Sequence, residues 1–281
     1  MNKASDTTLE LNKLSFSYQR DNSDDVLCDV DACFHSKEIS LIVGANGAGK
    51  STLLNLAAGL ISPTNGNVLI NKTPNIIGNV GLVFQNASAQ LFCTTVKEEL
   101  MFAPKNFGFS EAEALKSAQE ALGLLGLDSK QYFSRSPLSL SGGEARRVAI
   151  ASILSYHPKA LLFDEPNAGL DIKGKQALRA LLQKLKELGT ILVIVSHDLE
   201  LFLPLADTVY ELKDKKLVKY DSANQFITDN LASEHGGTSL ESLNFQRELE
   251  ALSGLTSPMS LNVDEIKEYV SEVKRRCLPT S

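Results

Sequence analysis

The run Gly44-Ala45-Asn46-Gly47-Ala48-Gly49-Lys50-Ser51-Thr52 fits the pattern G-x-x-x-x-G-K-[ST], whose residue types suit the chemistry of a phosphate chain. Glycines let a backbone curl until several N–H groups point at one anion. A helix beginning at the loop adds unsatisfied donors and the positive end of its dipole. Lys50 then reaches the β- and γ-phosphates of a nucleoside triphosphate, and Ser51 sets its hydroxyl on Mg²⁺. Taken alone, such a run also reads as a flexible glycine turn, so the flanking elements decide. A second chemical pair is Asp164-Glu165, which follows the apolar Leu161-Leu162-Phe163. A buried strand ending there puts both carboxylates at the carboxyl edge of a sheet, where open α/β sheets bind ligands. Asp164 would hold Mg²⁺ through water. Glu165 would polarise an attacking water, a general-base role that typically supplies ~10²–10⁴ in rate. Without the phosphate loop, the same pair is a solvated turn.

The third stretch is Leu140-Ser141-Gly142-Gly143-Glu144. Ser141 and Glu144 make a capping box that opens a helix. Two glycines in the first turn of that helix cost about 1 kcal/mol each against alanine. Close approach of this backbone to an anion would offset the cost.

These residues need elements to position them. The apolar Ile39–Val43 precedes the phosphate loop and reads as a strand, and the residues after Thr52 read as a helix. Residues 7–18 alternate, with Leu9, Leu11, Leu14, Phe16 and Tyr18 apolar, and Val26-Leu27 restart the pattern after a polar turn. Together with Ile39–Val43 they predict a small antiparallel layer flanking the loop strand. Residues 62–67, Ser-Pro-Thr-Asn-Gly-Asn, form dense turn chemistry that should end the first helix. Strands are expected at residues 68–70, 80–84, 160–163 and 190–195. Helical periodicity runs over 95–127, 144–156 and 173–188. Strands alternating with helices argue for a mostly parallel sheet covered on both faces. After about Asp221 the composition changes, and residues 239–252 and Val263–Cys277 predict two amphipathic helices. Asn262 and Glu265 form a capping box for the second. This pair is either docked on the main domain or a dimerisation appendage.

The whole chain has 281 residues, 43% hydrophobic and 22% charged, as soluble globular proteins do. A net charge of −6 argues against a general nucleic-acid binder. The longest apolar runs, such as residues 191–195, fall far below the ~18 residues of a membrane span. No charged-then-apolar leader opens the sequence, so a cytosolic chain with no span of its own is expected. The four cysteines are scattered and read as free thiols.

Over about residues 8–218 the sequence resembles the ATP-binding-cassette (ABC) ATPases. Residues 44–52 look like their Walker A, residues 160–165 like their Walker B and residues 140–144 like their signature. The resemblance implies a P-loop NTPase (RecA-like) α/β core with an antiparallel β layer and a helical signature subdomain at about 86–156. It covers an ABC ATPase domain at 1–221, which leaves 222–281 as a small C-terminal helical extension. It further implies that Gly44, Asn46, Gly47, Gly49, Lys50, Ser51 and Thr52 bind ATP, and that Tyr18 stacks on adenine. Gln85 looks like the Q-loop glutamine, which senses Mg²⁺ and the partner subunit. Asp171, in Asn167-Ala168-Gly169-Leu170-Asp171, resembles the D-loop aspartate that crosses to a second protomer. His197 resembles the switch histidine on the γ-phosphate. Ser51, Gln85 and Asp164 are then the Mg²⁺ side chains, while Glu165, His197 and Gln85 are the catalytic ones. The implied assembly is a head-to-tail dimer of identical or paralogous ATPases. Each ATP lies between one protomer's Walker A and the other's Ser141, Gly142 and Gly143.

The stretch Phe84-Gln85-Asn86-x-x-x-Gln90-Leu91-Phe92-x-x-Thr95-Val96-x-x-Glu99-x-x-Phe102-x-Pro104-x-Asn106-x-Gly108 is similar to the energy-coupling-factor (ECF) ATPases, which drive uptake of cobalt, nickel and vitamins. Ala87 stands where that group usually has proline, and Ser88-Ala89 lack its usual acidic residue. The resemblance implies a transmembrane scaffold subunit and a separate substrate-capture subunit as partners, at the cytoplasmic face of the membrane. Phe84, Phe92, Phe102, Phe107 and Phe109 either line a groove for a coupling helix of the scaffold or form subdomain core. An ATPase of another ABC transporter type is the alternative, followed by a soluble ABC ATPase of DNA repair or translation.

Overall fold

A computed structural model describes residues 7–19, 25–232, 246, 249–257 and 263–277. The chain runs through β1 (Thr8–Ser17), β2 (Asp25–His35), β3 (Ile39–Val43), α1 (Lys50–Ala57), β4 (Asn65–Ile70), β5 (Thr73–Pro74) and β6 (Val80–Val83). A helical stretch follows, with α2 (Val96–Asn106), α3 (Glu111–Leu124), α4 (Ser129–Tyr132) and α5 (Gly142–Leu154). Then come β7 (Ala160–Asp164), α6 (Ile172–Glu187), β8 (Ile191–Val195), α7 (Leu199–Phe202), β9 (Thr208–Lys213), β10 (Lys216–Tyr220), α8 (Ala223–Ala232) and α9 (Val263–Cys277).

The main sheet has the order β10-β9-β3-β8-β7-β6, parallel except for the edge strand β10. Every residue of β3 and β8 is buried, as strands covered on both faces must be. Alternate side chains feed two cores. Leu161, Phe163 and Ile194 pack with α2, α3, α5 and α6 on one face. Leu162, Val193 and Val195 pack with α1 and the second sheet on the other. That second sheet is antiparallel, in the order β2-β1-β4-β5.

β3 is therefore a central strand of the parallel sheet and does not join β1 and β2 in the antiparallel layer; its five consecutive buried residues, four of them apolar, are the reason. The turn expected over residues 62–67 is also shorter than its composition suggests. Residues 65–67 already belong to β4, and Gly66 adopts φ +82 where it crosses β1. A Cβ there would meet the Lys13 carbonyl oxygen at 2.3 Å. Lys13 is itself left-handed (φ +47), and the β1–β2 register shifts between Leu11 and Leu14. This bulge explains why the apolar spacing steps from two residues to three while Leu11 and Leu14 both stay buried.

The helical periodicity of 95–127 resolves into α2 and α3, each opened by a complete capping box, at Thr95 with Glu98 and at Ser110 with Glu113. α8 returns to the main sheet and buries Phe226 and Ile227 in the larger core. In the C-terminal part, α9 forms where periodicity predicts it and buries Tyr269 and Val273. The helix expected at 239–252 lies mostly outside the described residues, as does its neighbour's Asn262 cap. Among the described residues no helix is long and apolar enough to cross a membrane.

Candidate active site

The functional side chains collect at the carboxyl edge of the parallel sheet because β3, β7, β8 and β6 all end there. The loop after β3 needs its glycines for steric reasons. A Cβ on Gly44 would lie 2.5 Å from the Leu212 carbonyl oxygen, and one on Gly49 would lie 2.8 Å from Val26 Cγ1. Gly49 is also the left-handed N-cap of α1 (φ +104) and offers no capping side chain. The first-turn N–H groups of α1 thus keep no side-chain acceptor of their own at the cap. Lys50 is buried and donates to the carbonyls of Gly44 and Ala45, both at 2.8 Å. Burial lowers its pKa, against which Glu165 and Asp164 act as nearby negative charges. Tyr18 stands beside the same helix. Its hydroxyl is 3.1 Å from Thr52 Oγ1, its ring meets Phe16 edge-on, and it stays 69% exposed.

Glu165 sits one residue past β7 in a left-handed conformation (φ +47). Its N–H donates to the Val195 carbonyl at 2.9 Å, which fixes the residue against the end of β8. Its Oε2 accepts from the Ser196 hydroxyl at 3.0 Å and from the His197 N–H at 3.3 Å. His197 Nε2 lies 3.3 Å from the other oxygen, Oε1. That oxygen is enclosed by protein yet accepts no hydrogen bond. Lys50, Asp164, Glu165 and His197, read separately from the sequence, are thus one cluster. A buried carboxylate oxygen without a donor beside an imidazole is an acceptor ready for a water.

Two residues that sequence reasoning did not single out hold this cluster. Ser196, 1% exposed, bridges Glu165 Oε2 and Asn167 Oδ1, and its Oγ accepts the Asp198 N–H. Asn167 Nδ2 and Lys175 Nζ both donate to Asp198 Oδ2, at 3.1 and 2.5 Å. Arg146 on α5 donates to the Pro166 carbonyl at 2.7 Å and to the Gln85 carbonyl at 3.1 Å. It therefore ties the loop after β6 to the loop after β7. The Gln85 side chain is exposed. No local spacing rule points a helix arginine at a carbonyl 61 residues away. A serine directly before His197 was the one available signal for Ser196.

Ser141, Gly142 and Gly143 form the N-terminus of α5, apart from this cluster. Among the described hydrogen bonds none joins them to residues 44–52. Ser141 caps the helix reciprocally with Glu144, whose Oε2 accepts the Ser141 N–H at 2.8 Å. The Tyr132 hydroxyl foremost, then Arg135 and Ser141, hold the Glu144 carboxyl far below its ordinary range. A Cβ on Gly142 or Gly143 would meet nothing within 4 Å, so this helix end is open to an approaching group. Asp171 caps α6 by accepting the Gly174 N–H at 2.8 Å.

The phenylalanines divide. Phe109 packs against the larger core and stacks on His157, and Phe107 lies against Tyr156. Phe92 and Phe102 meet edge-on at 4.9 Å and stay 66% and 49% exposed, with Phe84 also exposed. The backbone at Phe92 is held by Glu99, a buried carboxylate that accepts the N–H groups of Phe92 and Cys93.

The family model described as ABC transporter matches residues 27–168. An energy-coupling factor transporter ATP-binding protein, EcfA2, of Streptococcus pneumoniae is 39% identical over 234 residues, covering 79% of this chain and 84% of that protein. The structure of cbiO1 from Clostridium perfringens, part of the ABC transporter complex cbiONQ, superposes with a TM-score of 0.70. It is 25% identical and covers 94% of this chain and 98% of its own. A dimeric ATP-binding cassette in a post-hydrolysis state with ADP and Pi gives a TM-score of 0.65 at 28% identity, covering 76% and 98%.

Proposed function

Because the chain belongs to the ABC transporter family, as an ATP-binding ATPase of the energy-coupling-factor type, we propose that it energises a membrane importer of a metal ion or vitamin. The observation that carries the catalytic reading is Glu165 Oε1, buried, without a donor, and facing His197. In this reading Lys50 leaves the Gly44 and Ala45 carbonyls for the β- and γ-phosphates, and Tyr18 stacks on adenine. Glu165 accepts the proton of the attacking water, and His197 contacts the γ-phosphate. Ser196 keeps the carboxylate turned toward that water.

The residues fit Mg²⁺. The Ser51 hydroxyl, the Gln85 amide and the Asp164 carboxylate are hard oxygen donors of the type Mg²⁺ takes alongside water and phosphate. Held by these residues, Mg²⁺ would supply neutralisation of the charge on the phosphates.

The open amides of Gly142 and Gly143, with Ser141, would meet the γ-phosphate held on a second protomer's residues 44–52. Asp171 would contribute at the same interface. The partners are then a second ATPase protomer, a transmembrane scaffold and a substrate-capture subunit, with this chain peripheral at the cytoplasmic face. The exposed Phe92–Phe102 pair supports docking of an amphipathic helix from the scaffold.

Glu165→Gln keeps the shape of the site but loses the base. It should slow ATP hydrolysis by ~10²–10⁴ while ATP binding persists, and it should accumulate an ATP-dependent dimer in size-exclusion chromatography. An unchanged turnover would remove Glu165 from the base role. Detergent extracts that yield the chain with no integral membrane protein would defeat the transport reading.

A further inference from the structure

Beside the signature end of α5, with Ser141 and Gly143 at its edge, lies a groove of about 530 Å³ between that helix, the C-terminal end of α3 and most of the length of α6, from Lys173 to Lys184. Ile150, Leu170, Leu178 and Leu181 line it, and Leu124 and Leu125 close one side. Its volume falls in the range of about 300–1,000 Å³ typical of small-molecule pockets. Charge distinguishes it from an ordinary gap between helices. Arg147, Lys173 and Lys184 stand on its rim, and none of the three has an ion-pair partner among the described residues. The other charged lining groups are already engaged. Arg146 holds two backbone carbonyls, and Glu144 is held by Tyr132 and Arg135. In a chain of net charge −6, three uncompensated cations around apolar walls form a local exception.

We propose that this groove binds a small amphipathic carboxylate, with its apolar body on the leucine floor and its head on Arg147. A guanidinium fork takes a carboxylate through two parallel hydrogen bonds, and Lys173 and Lys184, near opposite ends of α6, add only longer-range attraction. The occupant lies between α5 and α6, which begin at Ser141 and Asp171. Fixing the spacing of those helices would couple the groove to ATP turnover, and linkage requires the reverse effect of nucleotide on occupancy. The binding itself does not depend on the ATPase reading.

The test titrates the purified full-length chain, without nucleotide, with sodium decanoate in a calorimeter. Sodium acetate and 1-decanol supply the head and the body alone. Saturable binding of one decanoate per chain is expected, with each half-ligand weaker by about tenfold or more. Arg147→Glu should weaken decanoate by a similar factor. Ala177→Trp, at an exposed helix position on the groove wall, should abolish binding, with circular dichroism reporting that the fold is retained. Absence of decanoate binding overturns the proposal. So does binding that both substitutions leave unchanged, which would mark adsorption to apolar surface elsewhere. Capture of an acidic amphipathic peptide by a groove that ignores decanoate would also overturn it.

Discussion

Glu165 is held in a sparsely populated backbone region, and the cost of such a residue, of order 1–3 kcal/mol, persists only where its surroundings over-determine it. Here they do. Its N–H is fixed by Val195, and Ser196 and His197 fix one carboxylate oxygen, so the other is left enclosed, without a hydrogen bond, beside the His197 imidazole. Ser196 is the partner that can be removed without touching the reacting atoms. Ser196→Ala leaves Oε2 with the His197 N–H alone and deprives the Asp198 N–H of its acceptor. A hydrogen bond to a charged group is worth about 1.5–3 kcal/mol, so turnover should fall by about 10–100-fold with the ATP affinity nearly unchanged. Steady-state kinetics alongside equilibrium ATP titration checks this, and a shift in affinity alone would refute it. Lys50 and Glu165 were legible in the sequence because each belongs to a local run with its own physical logic. Ser196 was not, because its role arises only where β7 and β8 lie side by side, 31 residues apart in the chain.

The elements are positioned by a few close approaches rather than by propensity. Gly81 in β6 is the sharpest of them. A Cβ there would lie 2.3 Å from Ile153 Cγ2 and 3.0 Å from Leu161 Cδ2, where α5 presses on the sheet. Its φ is not left-handed, so the glycine is there for space alone. Gly81→Ala should destabilise the fold by about 1–3 kcal/mol, as overpacking does, seen as a lower urea midpoint. The start of the same α5 is secured electrostatically. Glu144 has a folded pKa below its ordinary 4.5, so its contribution is complete above that value and is lost as pH falls through the folded value. Arg135→Met should therefore flatten the acid-side loss of stability measured by urea unfolding at successive pH values. At this scale the sequence announced α5 through its Ser141 and Glu144 cap, and α2 with α3 only as one helical period over 95–127, whose division by the Thr95 and Ser110 caps the structure supplies. It misassigned β3 because four apolar residues around a single serine, Ser40, show no clear alternation. That pattern is compatible with either sheet until burial on both faces is known.

For the whole molecule, no hydrogen bond among the described residues joins the phosphate-binding loop to the open α5 terminus, and in the proposed dimer each protomer carries two half-sites. That was legible only through the family's arrangement of motifs, since no local pattern says which surface meets a second copy. The remaining question is what the C-terminal part adds. Composition puts a boundary near Asp221, yet α8 beyond it buries Phe226 and Ile227 in the main core, and Phe226 meets Tyr220 edge-on at 5.2 Å. Burying two such side chains contributes about 1.5–3 kcal/mol each, a large part of a typical stability of about 5–15 kcal/mol. A chain ending at residue 221 should thus unfold at a clearly lower urea concentration than one ending at residue 232. Beyond α8 the described hydrogen bonds run within the extension, from Tyr269 to the Leu255 carbonyl and from Ser257 to Gln246. The proposed trans contacts, Ser141, Gly142 and Gly143 against residues 44–52, all lie before residue 232. A Glu165→Gln chain ending at residue 232 should therefore still form an ATP-dependent dimer. If sedimentation velocity shows that it stays monomeric with ATP while the full-length variant dimerises, residues 233–281 are the dimerisation element, and the cassette contacts alone are too weak to close the pair.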